Sequence, residues 1–96
     1  MVSKSDADPV VRQFRERISD NDLKLVQAIN QRLKLVAQLK KYKEEHQMEF
    51  YDPDRERWML TFVARANKGP LSPAGLEKIF TDVLALTKSE TQDAGK

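Results

Sequence analysis

The chain has no cysteine among its 96 residues, which excludes disulfides and thiolate metal sites. A single histidine, His46, argues against an imidazole-based metal centre. Glycine and proline are scarce, and neither occurs between Pro9 and Pro53. Nothing in that stretch is a helix breaker. No apolar run approaches the roughly 20 residues of a membrane span. The polar start, Met1 to Pro9, lacks the apolar segment of a signal peptide. These absences predict a cytoplasmic protein that does not enter membranes. Charge of one sign is also lacking: the net charge is +2, with both signs mixed along the chain. A nucleic-acid partner would call for a basic patch, and none is visible.

What remains is 33% charged and 40% hydrophobic residues, the balance of a helix-rich soluble protein. The length predicts one domain, residues 1–96, with 1–7 and 91–96 as flexible tails. Positions recur every three or four residues from Val11 onward: Val11, Phe14, Ile18, Asp22, Leu25, Ile29, Arg32, Val36, Leu39 and Lys43. That is the spacing of one helix face. Asp22, Arg32 and Lys43 interrupt the apolar stripe. Buried charge is costly unless paired, so two cations in this seam point to an anion held between helices.

Asp8 or an earlier polar residue caps the first helix, with Pro9 at the first helical position. The helix then runs to about His46, roughly 55 Å at 1.5 Å per residue. The rest of the chain is too short to cover it, so the stripe predicts a second copy. Asp52-Pro53 and Ser72-Pro73 repeat the cap-plus-proline signal for two more helices. The second ends near Asn67, before the Lys68-Gly69-Pro70 loop. Its buried side is expected to carry Trp58, Met59, Phe62 and Val63. The third presents Leu76, Ile79, Phe80, Val83, Leu84 and Thr87. The predicted fold is all-α: three helices per chain, the first very long, in an intertwined homodimer.

Arg32 and Lys43 lie eleven residues apart, about three turns and roughly 16 Å along one face. Asp52, Arg55 and Glu56 share a face at the start of the second helix. In an antiparallel pair of long helices, Arg15 of one chain approaches Arg32 of the other. The product is a cationic pocket with a carboxylate edge, suited to a small dianion bearing a hydroxyl. Taken singly, each residue has a plainer reading. Arg32 and Lys43 can snorkel from the stripe edge, and Asp52 can be an N-cap alone. The combination is what argues for a site.

The pattern resembles the all-helical class of chorismate mutases over nearly the whole length. Phe14-Arg15-Glu16-Arg17-Ile18-Ser19 with Asp22 carries the first part of the match. Arg32 falls at the family's mid-helix arginine and Lys43 at its lysine. Asp52-Pro53-Asp54-Arg55-Glu56 is similar to the D-x-x-R-E motif of the second helix. Tyr51-Asp52-Pro53 and Gly69-Pro70 look most like mutases fused to, or associated with, DAHP synthase. The resemblance implies conversion of chorismate to prephenate, without metal or cofactor, in a homodimer with shared active sites. It implies that Arg15 of the partner chain and Arg32 grip the substrate carboxylates. Lys43 would contact a carboxylate and the ether oxygen. Asp52 and Glu56 would hold the ring hydroxyl with Arg55 positioning them, and Thr87 would lie near a carboxylate. The alternatives are an isochorismate pyruvate-lyase, or a weakly active regulatory dimer that partners DAHP synthase. One departure stands out. The family's glutamine or glutamate near the end of the third helix is replaced by Thr91, and its neighbours Glu90 and Gln92 face other directions on a regular helix.

Overall fold

Asp8 opens the long helix by side-chain capping. In the computed structural model, which describes residues 4–93, its Oδ1 accepts the backbone N–H groups of Val10 at 2.8 Å and Val11 at 3.3 Å. Pro9 takes the first helical position, where an N–H would have no helical partner. A one-turn helix, α1 (Lys4–Ala7), precedes this cap, in the stretch read from sequence as a tail. The long helix, α2 (Pro9–Glu45), follows without interruption, as the absence of proline and glycine predicts.

The end of α2 is a left-handed turn. Gln47 adopts φ 54°, and the Met48 N–H reaches back to the Lys43 carbonyl at 2.8 Å. The Gln47 N–H bonds the Glu44 carbonyl at 3.3 Å, completing a Schellman pattern. Lys43 therefore lies in the last turn, where a cation is favoured by the helix dipole.

Helix α3 (Pro53–Ala66) begins at Asp52, whose Oδ1 accepts the Arg55 N–H at 3.1 Å. It ends at Asn67, whose N–H bonds the Val63 carbonyl at 3.0 Å. The Asn67 side chain ties the following loop, taking the Gly69 N–H at 3.0 Å and donating to the Leu71 carbonyl at 2.9 Å. Gly69 sits at φ 77°, a conformation that glycine adopts without steric cost. Ser72 Oγ then accepts the Gly75 N–H at 3.0 Å and opens α4 (Pro73–Asp93). The described residues contain no strand, so the chain is all-helical, with three substantial helices. None of the helices among them is long and apolar enough to cross a membrane.

The chain divides into two units, the first ending at Arg32 and the second starting at Leu33. The first carries its apolar stripe uncovered: Phe14 is 55% exposed, Ile18 60% and Leu25 54%. In the second, α3 packs on α4. Leu76 is buried there, and Met59, Leu60 and Val63 are partly buried. Trp58 and Phe62, expected in the core, are instead exposed and stack on each other with ring centroids 4.9 Å apart. The reason is helical register. Met59 and Val63 form the row turned inward, and the adjacent i, i+4 row of Trp58 and Phe62 faces outward.

Candidate functional site

Within the second unit, the last turns of α2 present Lys40 and Lys43 three residues apart on one face. Both are partly buried. The Phe50 ring, on the connection to α3, lies beside both ammonium groups, 6.0 Å from Lys40 Nζ and 5.9 Å from Lys43 Nζ. Lys40 also donates to the Thr91 carbonyl at 2.9 Å. That carbonyl belongs to the last turn of α4, where helical acceptors lack backbone donors. Lys43 has no carboxylate partner among the described residues.

The start of α3 supplies the acids. Asp52 is exposed and uses Oδ1 as the helix cap. Glu56 is 28% exposed, and its Oε1 lies 3.1 Å from Lys88 Nζ of α4. The same ammonium lies 5.0 Å from the centroid of the Tyr51 ring. The Arg55 guanidinium lies over the Trp58 ring, 4.0 Å from its centroid, rather than on either carboxylate.

Two buried hydroxyls line α4. Thr87 Oγ1 donates to the Val83 carbonyl at 2.7 Å, and Thr91 Oγ1 donates to the Thr87 carbonyl at 2.6 Å. Both are back-bonds within the helix, which engage the hydroxyl protons. Thr91 is 3% exposed. The side chain of Gln92 lies outside the described residues.

Six of the residues singled out from sequence thus belong to one unit: Lys43, Asp52, Arg55, Glu56, Thr87 and Thr91. Arg15, exposed, and Arg32, partly buried, belong to the first unit. Sequence reasoning missed Lys40, Phe50 and Lys88. Lys40 had a signal, since it precedes Lys43 by one turn. Lys88 had none beyond adjacency to Thr87, because its partner Glu56 is remote in sequence. Among the described residues, no group of three or more histidines and acids is placed to share a metal ion. The unit can offer fixed cations to anionic oxygens and a carboxylate to a hydroxyl.

A family model for chorismate mutase type II matches residues 14–92, a span that contains every one of these positions. The bifunctional chorismate mutase/prephenate dehydratase of Pseudomonas aeruginosa is 29% identical over 80 residues, covering 78% of this chain and 22% of that protein. The protein of the same description from Stutzerimonas stutzeri is 27% identical over 86 residues, covering 84% of this chain and 23% of that protein. The chain thus spans less than a quarter of the length of either relative. Among solved structures, chorismate mutase (Form I) from Thermus thermophilus superposes with a TM-score of 0.77 at 22% identity, over 80% of this chain and 96% of that one. That likeness supports the all-helical fold.

Proposed function

Because the chain belongs to the chorismate mutase type II family, we propose that it rearranges chorismate to prephenate, as a cytoplasmic homodimer with shared active sites. The observation that carries this reading is the family match over residues 14–92, which includes both arginines, Lys43 and the acids of α3. The reaction is an intramolecular rearrangement, so what it needs is a clamp and a charge. Arg32 and the partner chain's Arg15 hold the two carboxylates and favour the folded conformer in which the reacting carbons approach. As the C–O bond breaks, negative charge grows on the ether oxygen. The Lys43 ammonium, which has no carboxylate partner among the described residues, stabilises that charge more in the transition state than in the ground state. Asp52 and Glu56 take the ring hydroxyl, and Thr87 borders a carboxylate.

The homodimer reading rests on the first unit. Its stripe is uncovered over Phe14, Ile18, Leu25 and Ile29, the last 42% exposed. Exposed rows of this kind are characteristic of association surfaces. A second copy of the same stripe is self-complementary, as two-fold interfaces require.

One observation favours a second reading, a weakly active regulatory dimer that partners DAHP synthase. Thr91 replaces the second donor to the ether oxygen, and its hydroxyl proton is engaged by Thr87. A spectrophotometric assay of chorismate loss, with prephenate identified as product, tests the primary reading. Turnover of chorismate supports the mutase. Pyruvate release from isochorismate without chorismate turnover would move the assignment to the lyase. Absence of both activities would defeat both enzyme readings and leave a non-catalytic regulatory dimer.

A further inference from the structure

The cation that faces Glu56 is not the one expected from the family pattern. Arg55, expected to position the acids, lies over Trp58. Lys88 takes that place, with Nζ 3.1 Å from Glu56 Oε1. We propose that Lys88 is a positioning residue for Glu56, holding one carboxylate oxygen so that the other accepts the substrate's ring hydroxyl.

The arrangement gives both flexible side chains a fixed reference. A glutamate has three rotatable bonds, and a contact to one oxygen restricts them while leaving acceptor capacity on the other. Lys88 emerges from α4 directly after the buried Thr87, so its base is fixed by packing. Its ammonium lies 5.0 Å from the centroid of the Tyr51 ring. Tyr51 immediately precedes Asp52, the cap that sets the start of α3. Three segments therefore converge on one ammonium: the connection, α3 and α4. With Lys88 at 49% side-chain exposure, solvent screens the pair, and its worth to folding is small. Its effect falls on orientation instead. A hydroxyl contact is made in ground state and transition state alike, so its loss appears in KM rather than kcat.

This inference rests on the chorismate reading, and the test separates the two. Steady-state kinetics with chorismate are measured for wild type, Lys88→Met, Lys88→Arg, Glu56→Gln and the Lys88→Met/Glu56→Gln double variant, with thermal melts for each. Lys88→Met is expected to raise KM by on the order of tenfold, with kcat nearly unchanged. Lys88→Arg should restore most of the loss, because a guanidinium also pairs with a carboxylate. In the Glu56→Gln background, Lys88→Met should add little. Three results would overturn the proposal while the wild type remains active. They are a wild-type KM in Lys88→Met, an equal loss in both backgrounds, and a loss that follows a fall in melting temperature without rescue by arginine. A wild-type chain that does not turn over chorismate would defeat the parent reading and this one with it.

Discussion

The Lys40 ammonium and the Thr91 carbonyl are joined by a 2.9 Å hydrogen bond between residues 51 positions apart, linking the end of α2 to the last turn of α4. The bond satisfies an acceptor that helix geometry leaves without a donor, and it places a cation at the negative end of a helix dipole. Lys40 also shares the Phe50 ring with Lys43, the residue assigned to the ether oxygen. The anchor of α4 and the proposed electrostatic catalyst are thus neighbours on one helix face.

Lys40→Met keeps the aliphatic stem and removes this bond. A hydrogen bond to a charged group contributes about 1.5–3 kcal/mol, less when partly exposed, so a loss of about 1 kcal/mol is expected. Urea denaturation of the purified protein measures it. Unchanged stability would mean that the ammonium contributes nothing net to holding α4.

Lys43→Ala should behave differently. Removing one donor to developing charge typically costs on the order of a hundredfold or more in kcat. The fold should survive, since Lys43 makes no ion pair among the described residues and water can take its place. Near-normal kcat in Lys43→Ala would reduce this lysine to a stripe-edge residue.

Arg15 is expected to serve the neighbouring chain's site. An Arg15→Ala chain and an Arg32→Ala chain should each be inactive alone. In a mixed dimer, one site carries both defects and the other neither, so about one intact site per dimer should return. Recovery is read by assay after co-refolding, with mixed dimers confirmed by mass spectrometry. No recovery would assign both arginines to the same chain's site.

The helices were legible in the sequence for local reasons. The starts of α2, α3 and α4 each have a polar cap followed by proline: Asp8-Pro9, Asp52-Pro53 and Ser72-Pro73. Caps act within one turn, so a linear pattern suffices to find them. The facing of Trp58 and Phe62 was not legible. Apolar residues at 58, 59, 62 and 63 form two adjacent rows on α3, and only packing against α4 decides which row turns inward. The candidate site divides in the same way. Lys43, Asp52 and Glu56 follow from spacing along single helices. The pairing of Glu56 with Lys88, and of Lys40 with Thr91, joins distant segments and leaves no periodic signal.

Thr91 offers the sharpest test of the ether-oxygen contacts. Its hydroxyl donates to the Thr87 carbonyl at 2.6 Å and is shorter than a glutamine amide. Lys43 is therefore expected to carry most of the charge stabilisation alone, and the wild-type rate should be low for a mutase. Thr91→Gln supplies an amide donor and should lower the barrier by about 1.5–3 kcal/mol, the range for a hydrogen bond to a charged group. The site is tight, with Thr91 3% exposed. Added volume in a packed position typically costs about 1–3 kcal/mol of stability, so the melting temperature should fall as kcat rises. The control is Gln92→Ala, because the neighbouring amide is the other candidate donor. With Thr91→Gln faster and Gln92→Ala silent, the donor is missing in the wild type. With Gln92→Ala strongly impaired, Gln92 is the substitute donor. Neutrality of both variants in an active enzyme would refute the assignment of the ether-oxygen contacts to this end of α4.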